Sequence, residues 1–255
     1  MKPVNAAPDC QTARSGSAVP APARSHTLNR RAVLGGGTLG AAAAALGALT
    51  PLTAFAKSTP DVDSLTQYFD ILATGEALFT TFYQLAVFHH RELGLRGASL
   101  DAIKAIATEE EIHLRLAQAQ GGTPATLHFS FPDGAATFRD IGTFLRTQQL
   151  AEELTNGALN AWVNDMATNG QARLAQLGAQ LQQVEGGHRV VGRVLAGADP
   201  YDNWGFGPIV LNSFLQVPQA VTAAGFLSPR PGNDFPFTPA PAFFPGVGNT
   251  TPGPL

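Results

Sequence analysis

Apolar side chains recur in alternating steps of four and three residues along four segments of the chain. In the first half these segments cover residues 65–90 and 103–117, and in the second half residues 141–166 and 174–188. Side chains at this spacing share one face of an α-helix. We therefore predict four amphipathic helices, each with one face turned toward a common core.

Turn-forming residues separate these helices. Gly94 and Gly97 end the first, and the second starts near Ser99 or Asp101, both of which are favoured N-cap types. A longer connection with prolines and glycines, residues 121–134, separates the two halves. Short connections within each half and one long connection between them predict an all-α fold, an up-down four-helix bundle with a long crossover between helices 2 and 3.

The C-terminal residues follow no helical period. Residues 209–226 have room for one short helix, interrupted by Pro218, and prolines and glycines dominate residues 228–255. We expect an extended tail that is either wrapped on the bundle or disordered. The predicted organisation is a leader over residues 1–56, a helical bundle over residues 57–200, and a short helix with a proline-rich tail over residues 201–255.

The N-terminal segment has the composition of an export signal. Arg30 and Arg31 precede residues 32–56, which carry no charge, are rich in alanine and glycine, and end in Ala54-Phe55-Ala56. These features are typical of a secretory signal, and the arginine pair resembles a twin-arginine signal. We predict recognition by the twin-arginine (Tat) export machinery, cleavage after Ala56 and a periplasmic or cell-envelope location. A retained membrane anchor is the alternative, although the glycines make a poor membrane span.

Charge and cysteine content exclude several function classes. The whole chain has a net charge of −3, and residues 57–255 carry 11 basic and 18 acidic residues, a net charge of −7. An acidic chain lacks the basic face that binding to nucleic acid requires. The single cysteine, Cys10, lies in the leader, so the predicted mature chain has no disulfide, no thiol nucleophile and no cysteine metal ligand.

Each predicted helix carries one glutamate on its apolar face. These four residues are Glu76, Glu110, Glu152 and Glu185. The second and the fourth are followed three residues later by a histidine, His113 and His188, which shares the same helix face. Burying four carboxylates together is strongly unfavourable unless opposite charge compensates them, and two divalent cations would do so.

The glutamate pattern repeats in the two halves, since the first glutamate precedes the second by 34 residues and the third precedes the fourth by 33. One glutamate from each of two helices, with Glu-x-x-His from each of two others, is the di-iron or di-manganese carboxylate pattern. On this basis residues 62–197 resemble the ferritin-like superfamily, and more narrowly the exported ferritin-like proteins labelled desiccation-related. The motifs that carry the resemblance are Glu76 with Phe82-Tyr83, Glu110-Glu111-Ile112-His113, the Gly122-Thr123-Pro124 to Phe131-Pro132 crossover, Phe144-Leu145 before Glu152, and Glu185-Gly186-Gly187-His188.

The resemblance implies a centre of two iron or manganese ions, metals that suit carboxylate and imidazole ligands. The implied metal ligands are Glu76, Glu110, His113, Glu152, Glu185 and His188. O₂ or H₂O₂ is the implied substrate, for ferroxidase-type metal oxidation or catalase-like peroxide removal in a stress-protective role. One alternative is a structural or protective envelope protein that keeps the fold with weak metal binding or none. Another is a homo-oligomer whose tail docks on neighbouring copies.

Two features depart from the family pattern. Thr155 stands where the spacing of the first half would place a glutamate, so the third helix supplies Glu152 one turn earlier, its neighbour Glu153, or no ligand. The helical seam favours Glu152. Gly186-Gly187 also interrupt a presumed helix at about 1 kcal/mol each. Either the helix ends there and leaves His188 in a loop, or the glycines allow close backbone packing, which we favour.

Other chemically capable side chains are interpreted as structural. No nucleophile-elbow motif and no glycine-rich phosphate loop occurs in the sequence. Three histidines are expected at the surface or in the core without a metal, two glutamates on a solvated helix face, and two aromatic residues in packing rather than as redox relays. These residues are, in that order, His89, His90 and His128, then Glu109 and Glu111, then Tyr83 and Trp162.

Overall fold

The computed structural model describes residues 62–198, 207, 210–241 and 244. Four long helices account for most of these residues: α1 (Val62–Phe88), α2 (Ala98–Ala119), α3 (Ile141–Thr168) and α4 (Ala172–Leu195). The prediction of an all-α, mostly helical chain is confirmed. The predicted export signal and its cleavage site lie outside the described residues.

The long helices associate in two pairs, α1 with α2 and α3 with α4, and α2 also contacts α4. Contacts between α1 and α3 show their relative direction. Tyr68, near the start of α1, donates a hydrogen bond to Asp165 near the end of α3 at 2.9 Å. Tyr83, near the end of α1, bonds to Glu152, which precedes Asp165 on α3. The helices α1 and α3 therefore run in opposite directions.

Two aromatic clusters form much of the apolar core. One contains Tyr68, Phe69, Trp162 and Phe214, with ring centroids 5.0 to 5.7 Å apart. The other contains Phe82, Phe131, Phe138 and Phe144, with ring centroids 4.9 to 5.9 Å apart. Glu76 lies on α1 about 10 Å along the helix from each cluster, since each residue advances a helix by about 1.5 Å. Along α1, Glu76 therefore lies between the two aromatic clusters.

Helix α1 is the most apolar of the four. Its residues Leu65–Phe88 are long and apolar enough to cross a membrane, but 78% of the most apolar window is buried inside the protein. Burial of this kind is what the central helix of a packed core requires. We therefore interpret α1 as a core helix.

The starts of α2 and α3 differ in their capping. Asp140 caps α3, because its side chain accepts a hydrogen bond from the Thr143 backbone N–H at 2.7 Å. Helix α2 begins next to the predicted Ser99, but the predicted cap is wrong, since Gly97 occupies the N-cap position and no side chain bonds there. Ser99 instead accepts a hydrogen bond from the backbone N–H of Arg96 at 3.0 Å.

The tail folds back onto the helices. The short strand β1 (His128–Phe129), in the crossover, pairs antiparallel with β2 (Phe235–Pro236), in the tail. Short 3₁₀ helices lie at Gly134–Phe138 and Phe214–Gln216, and α5 spans Val217–Ala223. Pro218 lies in the first turn of α5 rather than interrupting it, because a helix start leaves backbone N–H groups unpaired anyway. Of the two expectations for the tail, wrapping holds for residues 210–241.

Asp165 of α3 fastens the tail. Its Oδ2 accepts hydrogen bonds from the Ser213 hydroxyl and from the Phe214 backbone N–H, both at 2.8 Å, as well as from Tyr68. Burial and the Asp165 carboxylate raise the pKa of Tyr68 to about 12. This one aspartate therefore joins α1, α3 and the tail beside the first aromatic cluster.

Candidate metal centre

All six residues predicted as metal ligands meet in the interior of the helices. They form two groups whose ligand atoms lie within 4.8 Å of one another. The first group is Glu76, Glu110, His113 and Glu185, and the second is Glu110, Glu152, Glu185 and His188. All six side chains are buried, with relative exposures of 0 to 6%. Four helices that are distant in sequence thus bring their polar side chains to one place.

Glu110 and Glu185 belong to both groups, and their contacts with the histidines are reciprocal. His113 Nδ1 lies 3.1 Å from a Glu185 oxygen, and His188 Nδ1 lies 3.1 Å from a Glu110 oxygen. Within its own helix, each histidine faces the glutamate three residues before it, at 4.0 Å for His113 and 3.0 Å for His188. The two Glu-x-x-His segments therefore face each other across α2 and α4.

Glu76 and Glu152 complete the groups from α1 and α3. Glu76 lies 3.6 Å from His113 Nδ1. Glu152 joins the second group from a helix that is α-helical throughout, so the predicted shift by one turn needs no helical bulge. Its neighbour Glu153 lies outside the groups, with its side chain 44% exposed and 3.8 Å from Arg189. The choice of Glu152 over Glu153 agrees with this placement.

Many ligand atoms in the cluster have no hydrogen-bond partner although they are fully buried. These atoms are Glu76 Oε2, both Glu110 oxygens, His113 Nδ1, Glu152 Oε2 and Glu185 Oε1. A buried polar atom without a partner costs roughly 1 to 3 kcal/mol, and more when it is charged. Since the unpartnered atoms point into the shared space between the helices, the residues present fit a pair of bound cations.

The electrostatics of the cluster confirm how strongly its charges interact. Burial and repulsion from Glu185 raise the pKa of Glu110 well above its ordinary value. The same causes raise the pKa of Glu152 to about 8. Burial alone would raise the pKa of Glu185 as well, but the neighbouring His188 and His113 hold it well below its usual range. Glu110 and Glu152 therefore favour a protonated form and must lose that proton before they bind a cation, whereas Glu185 favours its ionised form.

Neighbouring carboxylates raise the pKa of both histidines. Burial disfavours a charged imidazole, but the nearby carboxylates of Glu185 and Glu76 outweigh burial and raise the pKa of His113 well above its ordinary value. Burial is likewise outweighed at His188, where Glu185, Glu109 and Glu110 raise the pKa. A bound cation must displace these imidazole protons, because only a neutral imidazole coordinates metal.

The contact between Glu109 and His188 was not predicted from the sequence. The Glu109 carboxylate lies 2.8 Å from His188 Nε2, on the side of the ring that faces away from the cluster. The expectation that Glu109 and Glu111 both lie on a solvated face is therefore wrong. Glu111 is 6% exposed and bonds to Arg115 at 3.0 Å. Glu109 directly precedes Glu110 and so does not share its helix face. The helical period therefore gave no sign that Glu109 contacts another helix.

Tyr83 packs in the core and also contacts the cluster. Its hydroxyl donates a hydrogen bond to the Glu152 carboxylate and accepts one from Gln148 Nε2 at 3.1 Å. Gln148 Nε2 also lies 2.9 Å from the backbone oxygen of His188. Burial and the charge of Glu152 raise the pKa of Tyr83 well above 10, so its hydroxyl keeps its proton. Trp162 lies in the first aromatic cluster, as packing predicts.

The Gly186-Gly187 pair neither ends α4 nor serves close packing. Helix α4 continues past both residues, so His188 is helical and the loop alternative is wrong. The favoured explanation is wrong too, because a Cβ at Gly187 would meet no atom within 4 Å and one at Gly186 only an asparagine oxygen at 3.8 Å. Two other glycines of α4 have close neighbours instead, since a Cβ at Gly178 would overlap the Trp162 indole and one at Gly192 would overlap the Gln148 side-chain amide.

The remaining histidines lie away from the cluster. His89 pairs with Glu92 at 3.7 Å, and His90 Nδ1 lies 3.3 Å from the Leu95 backbone oxygen. His128 pairs with Asp234 at 2.8 Å on the surface, between the paired strands β1 and β2. Each has a local partner and none shares a ligand group with the six buried residues.

Comparisons of this chain with models of protein families, with curated proteins and with solved structures found no match. The buried glutamates and histidines are therefore the features of this chain that indicate its function. Their chemistry is that of hard carboxylate oxygens and imidazole nitrogens without thiolate, which suits iron or manganese.

Proposed function

We propose that this chain is a ferritin-like protein whose four long helices form a four-helix bundle around two iron or manganese ions. The proposed activity is oxidation of the metal by O₂ or peroxide, or removal of peroxide. One observation carries the proposal: six buried ligand groups from four helices form two overlapping groups that share two carboxylates. This is the arrangement expected of a pair of ions bridged by glutamates.

Charge balance favours two ions over one. The four glutamates carry four negative charges when all are ionised, and two divalent cations neutralise them. A single divalent ion would balance only two of them, so the other two carboxylates would have to keep a proton or pair with a charged imidazole. The number of carboxylates thus supports a dinuclear centre.

In the proposed site Glu76 with His113 would hold one ion and Glu152 with His188 the other, and Glu110 and Glu185 belong to both groups and would be available to either ion. When bound, a pair of ferrous or manganous ions would supply the redox chemistry, because the reduction of one H₂O₂ with two protons to two water molecules takes one electron from each ion.

The residues around the ligands have separate tasks. Tyr83 holds its hydroxyl proton on the Glu152 carboxylate and so orients it. The aromatic clusters on both sides exclude bulk water, which strengthens the electrostatic interactions inside the site. Both tasks belong to side chains that are 5% exposed or less, including Tyr83, Phe82 and Trp162.

The proposal includes export. The twin-arginine pathway transports proteins that are already folded, which suits a chain that acquires its metal in the cytoplasm. Replacing Arg30 and Arg31 with lysines is expected to leave the chain in the cytoplasm at its full length. Export and cleavage of that variant at the normal rate would contradict this part of the proposal.

Elemental analysis of the chain purified after native export tests the metal centre. We expect about two iron or manganese ions per chain, and a large loss of metal in the double variant E110A/H113A. The exposed Glu92 supplies a matched control, E92Q, which should retain the metal. Iron-loaded protein should consume one H₂O₂ for every two ferrous ions oxidised.

Two results would overturn the proposal. The first is a folded native chain without metal that also fails to bind added Fe(II) or Mn(II), which would support the alternative of a structural envelope protein. The second is an unchanged metal content in E110A/H113A, which would place any bound metal elsewhere.

A further inference from the structure

We propose that Glu109 makes the two metal positions unequal, so that the position next to His188 binds its ion more tightly and fills first. This inference rests on the proposed function and concerns only the order in which the two positions fill. Glu109 acts here as a positioning residue, because it touches the imidazole and not the ligand groups.

The contact with His188 fixes both the orientation and the tautomer of the ring. The Glu109 carboxylate accepts a hydrogen bond from His188 Nε2 at 2.8 Å. An ionised carboxylate has no proton to donate, so Nε2 keeps its proton and Nδ1 is the nitrogen that gives up its proton and offers a lone pair when a cation binds. Nδ1 faces Glu185 at 3.0 Å and Glu110 at 3.1 Å, which is the metal side of the ring.

His113 lacks an equivalent contact. Among the described residues, the carboxylates within 4.0 Å of this ring are those of Glu76, Glu110 and Glu185, and all three face Nδ1. The reason lies in the sequence repeat. Glu109 directly precedes Glu110, whereas the residue that directly precedes Glu185 is Val184. The second half offers an apolar side chain at the position where the first half offers a carboxylate.

A carboxylate behind a coordinating imidazole raises the basicity of the ligand and fixes its orientation. Losing such a partner typically weakens metal affinity by about 10- to 100-fold. Glu109 also adds a negative charge that is only partly exposed, with 28% of its side chain accessible. The two stepwise dissociation constants should therefore differ by about 10- to 100-fold, with the tighter one belonging to His188.

The test is a titration of the metal-free full chain with Mn(II), with free Mn(II) followed by electron paramagnetic resonance. Wild-type protein should bind two ions in two separated steps. H188A should lose the tighter step and H113A the weaker one. E109L removes the acceptor at similar size and should weaken only the tighter step by about 10- to 100-fold. E109Q keeps an acceptor oxygen and should fall between E109L and the wild type.

Two further variants separate positioning from general effects. Glu153 lies beside Glu152 in the sequence and pairs with Arg189 rather than with an imidazole, so E153Q removes a carboxylate that directly follows a proposed ligand and should leave both steps unchanged. V184E should strengthen the weaker step, because it supplies the missing carboxylate on the side of His113.

Two equal binding steps in wild-type protein would overturn this inference while leaving the proposed function intact. So would E109L constants that are unchanged, or equally weakened at both steps, in a variant whose circular dichroism matches that of the wild type. Wild-type protein that binds no Mn(II) and no Fe(II) would overturn the proposed function together with the inference.

Discussion

Replacing Glu152 with glutamine should stabilise the metal-free chain at pH 7 and destabilise the metal-loaded chain. In the metal-free protein the Glu152 carboxyl is buried beside Glu185, and both burial and that neighbouring charge raise its pKa. Glutamine has the size and neutral charge of the protonated carboxyl. Its side-chain oxygen can still accept the hydrogen bond from the Tyr83 hydroxyl.

The size of the effect follows from the pKa of Glu152. In the unfolded chain this carboxyl has an ordinary pKa of 4.5 and is ionised at pH 7, whereas in the folded chain its pKa is about 8 and it is protonated. Taking up that proton at pH 7 costs about 3 kcal/mol, at about 1.4 kcal/mol per pH unit. E152Q removes the cost, so its free energy of unfolding should exceed that of the wild type by about 3 kcal/mol.

The sign of the pH dependence is fixed by the same pKa. Between pH 4.5 and 8 the folded state binds a proton at Glu152 that the unfolded state does not. Wild-type stability relative to E152Q therefore declines as the pH rises through this window, and the difference becomes constant above it. Below pH 4.5 both states are protonated and the two proteins should be equally stable.

Urea unfolding followed by far-ultraviolet circular dichroism measures this effect, because the described chain is mostly helical. The samples contain a chelator, and the exposed E92Q serves as the control, with a change of less than about 0.5 kcal/mol. The experiment is then repeated with Mn(II), where the lost ligand should reverse the sign. A stability difference that does not vary between pH 4.5 and 8, or a metal-free E152Q less stable than the wild type at pH 7, would refute the reasoning.

Three more predictions concern the surroundings of the cluster. Y83F should weaken one Mn(II)-binding step by about 10-fold and leave the other unchanged, because it removes a contact to a single ligand; a titration shows this, and equal weakening of both steps would contradict it. G178A should destabilise the chain in urea unfolding by about 1 to 3 kcal/mol through overpacking, whereas G187A should stabilise it by about 1 kcal/mol because nothing opposes the added methyl group. D165A should lower the pKa of Tyr68 from about 12 toward 10, which titration of the tyrosinate absorbance follows; an unchanged titration would show that burial alone sets that pKa.

The positions of the six buried glutamates and histidines were predictable because the helical period fixes which residues share a face. Glu76, Glu152 and the two Glu-x-x-His pairs interrupt otherwise apolar faces, and a charged residue at such a position needs a reason. Turn residues predicted where one helix ends and the next begins. The sequence pattern therefore predicted both that these residues are buried and that they lie on neighbouring faces, which are the two conditions for a shared site.

The helical period does not predict which residues of different helices contact each other. Glu109 follows no periodic pattern that distinguishes it from a solvated residue, and its contact with His188 depends on the crossing of α2 and α4. The same holds for Gly178, whose requirement for a small residue comes from the Trp162 indole on α3. Pairing of β1 with β2 joins segments over 100 residues apart, and each strand is too short to show an alternating pattern.

The contacts around the six ligands are less symmetric than the ligands themselves. Tyr83 and Glu109 both support the second group, the one by bonding to Glu152 and the other by bonding to His188. Within the described residues, the hydrogen bonds found give no such support to Glu76. Ligands held by additional hydrogen bonds lose less freedom when an ion binds, so they bind it more tightly. In the proposed centre, the less constrained group would keep the freedom to change its coordination when the oxidation state of a bound ion changes. The two halves of the sequence supply similar proposed ligands. We nevertheless expect the position next to His188 to retain its ion more tightly and the position next to His113 to be the more reactive one.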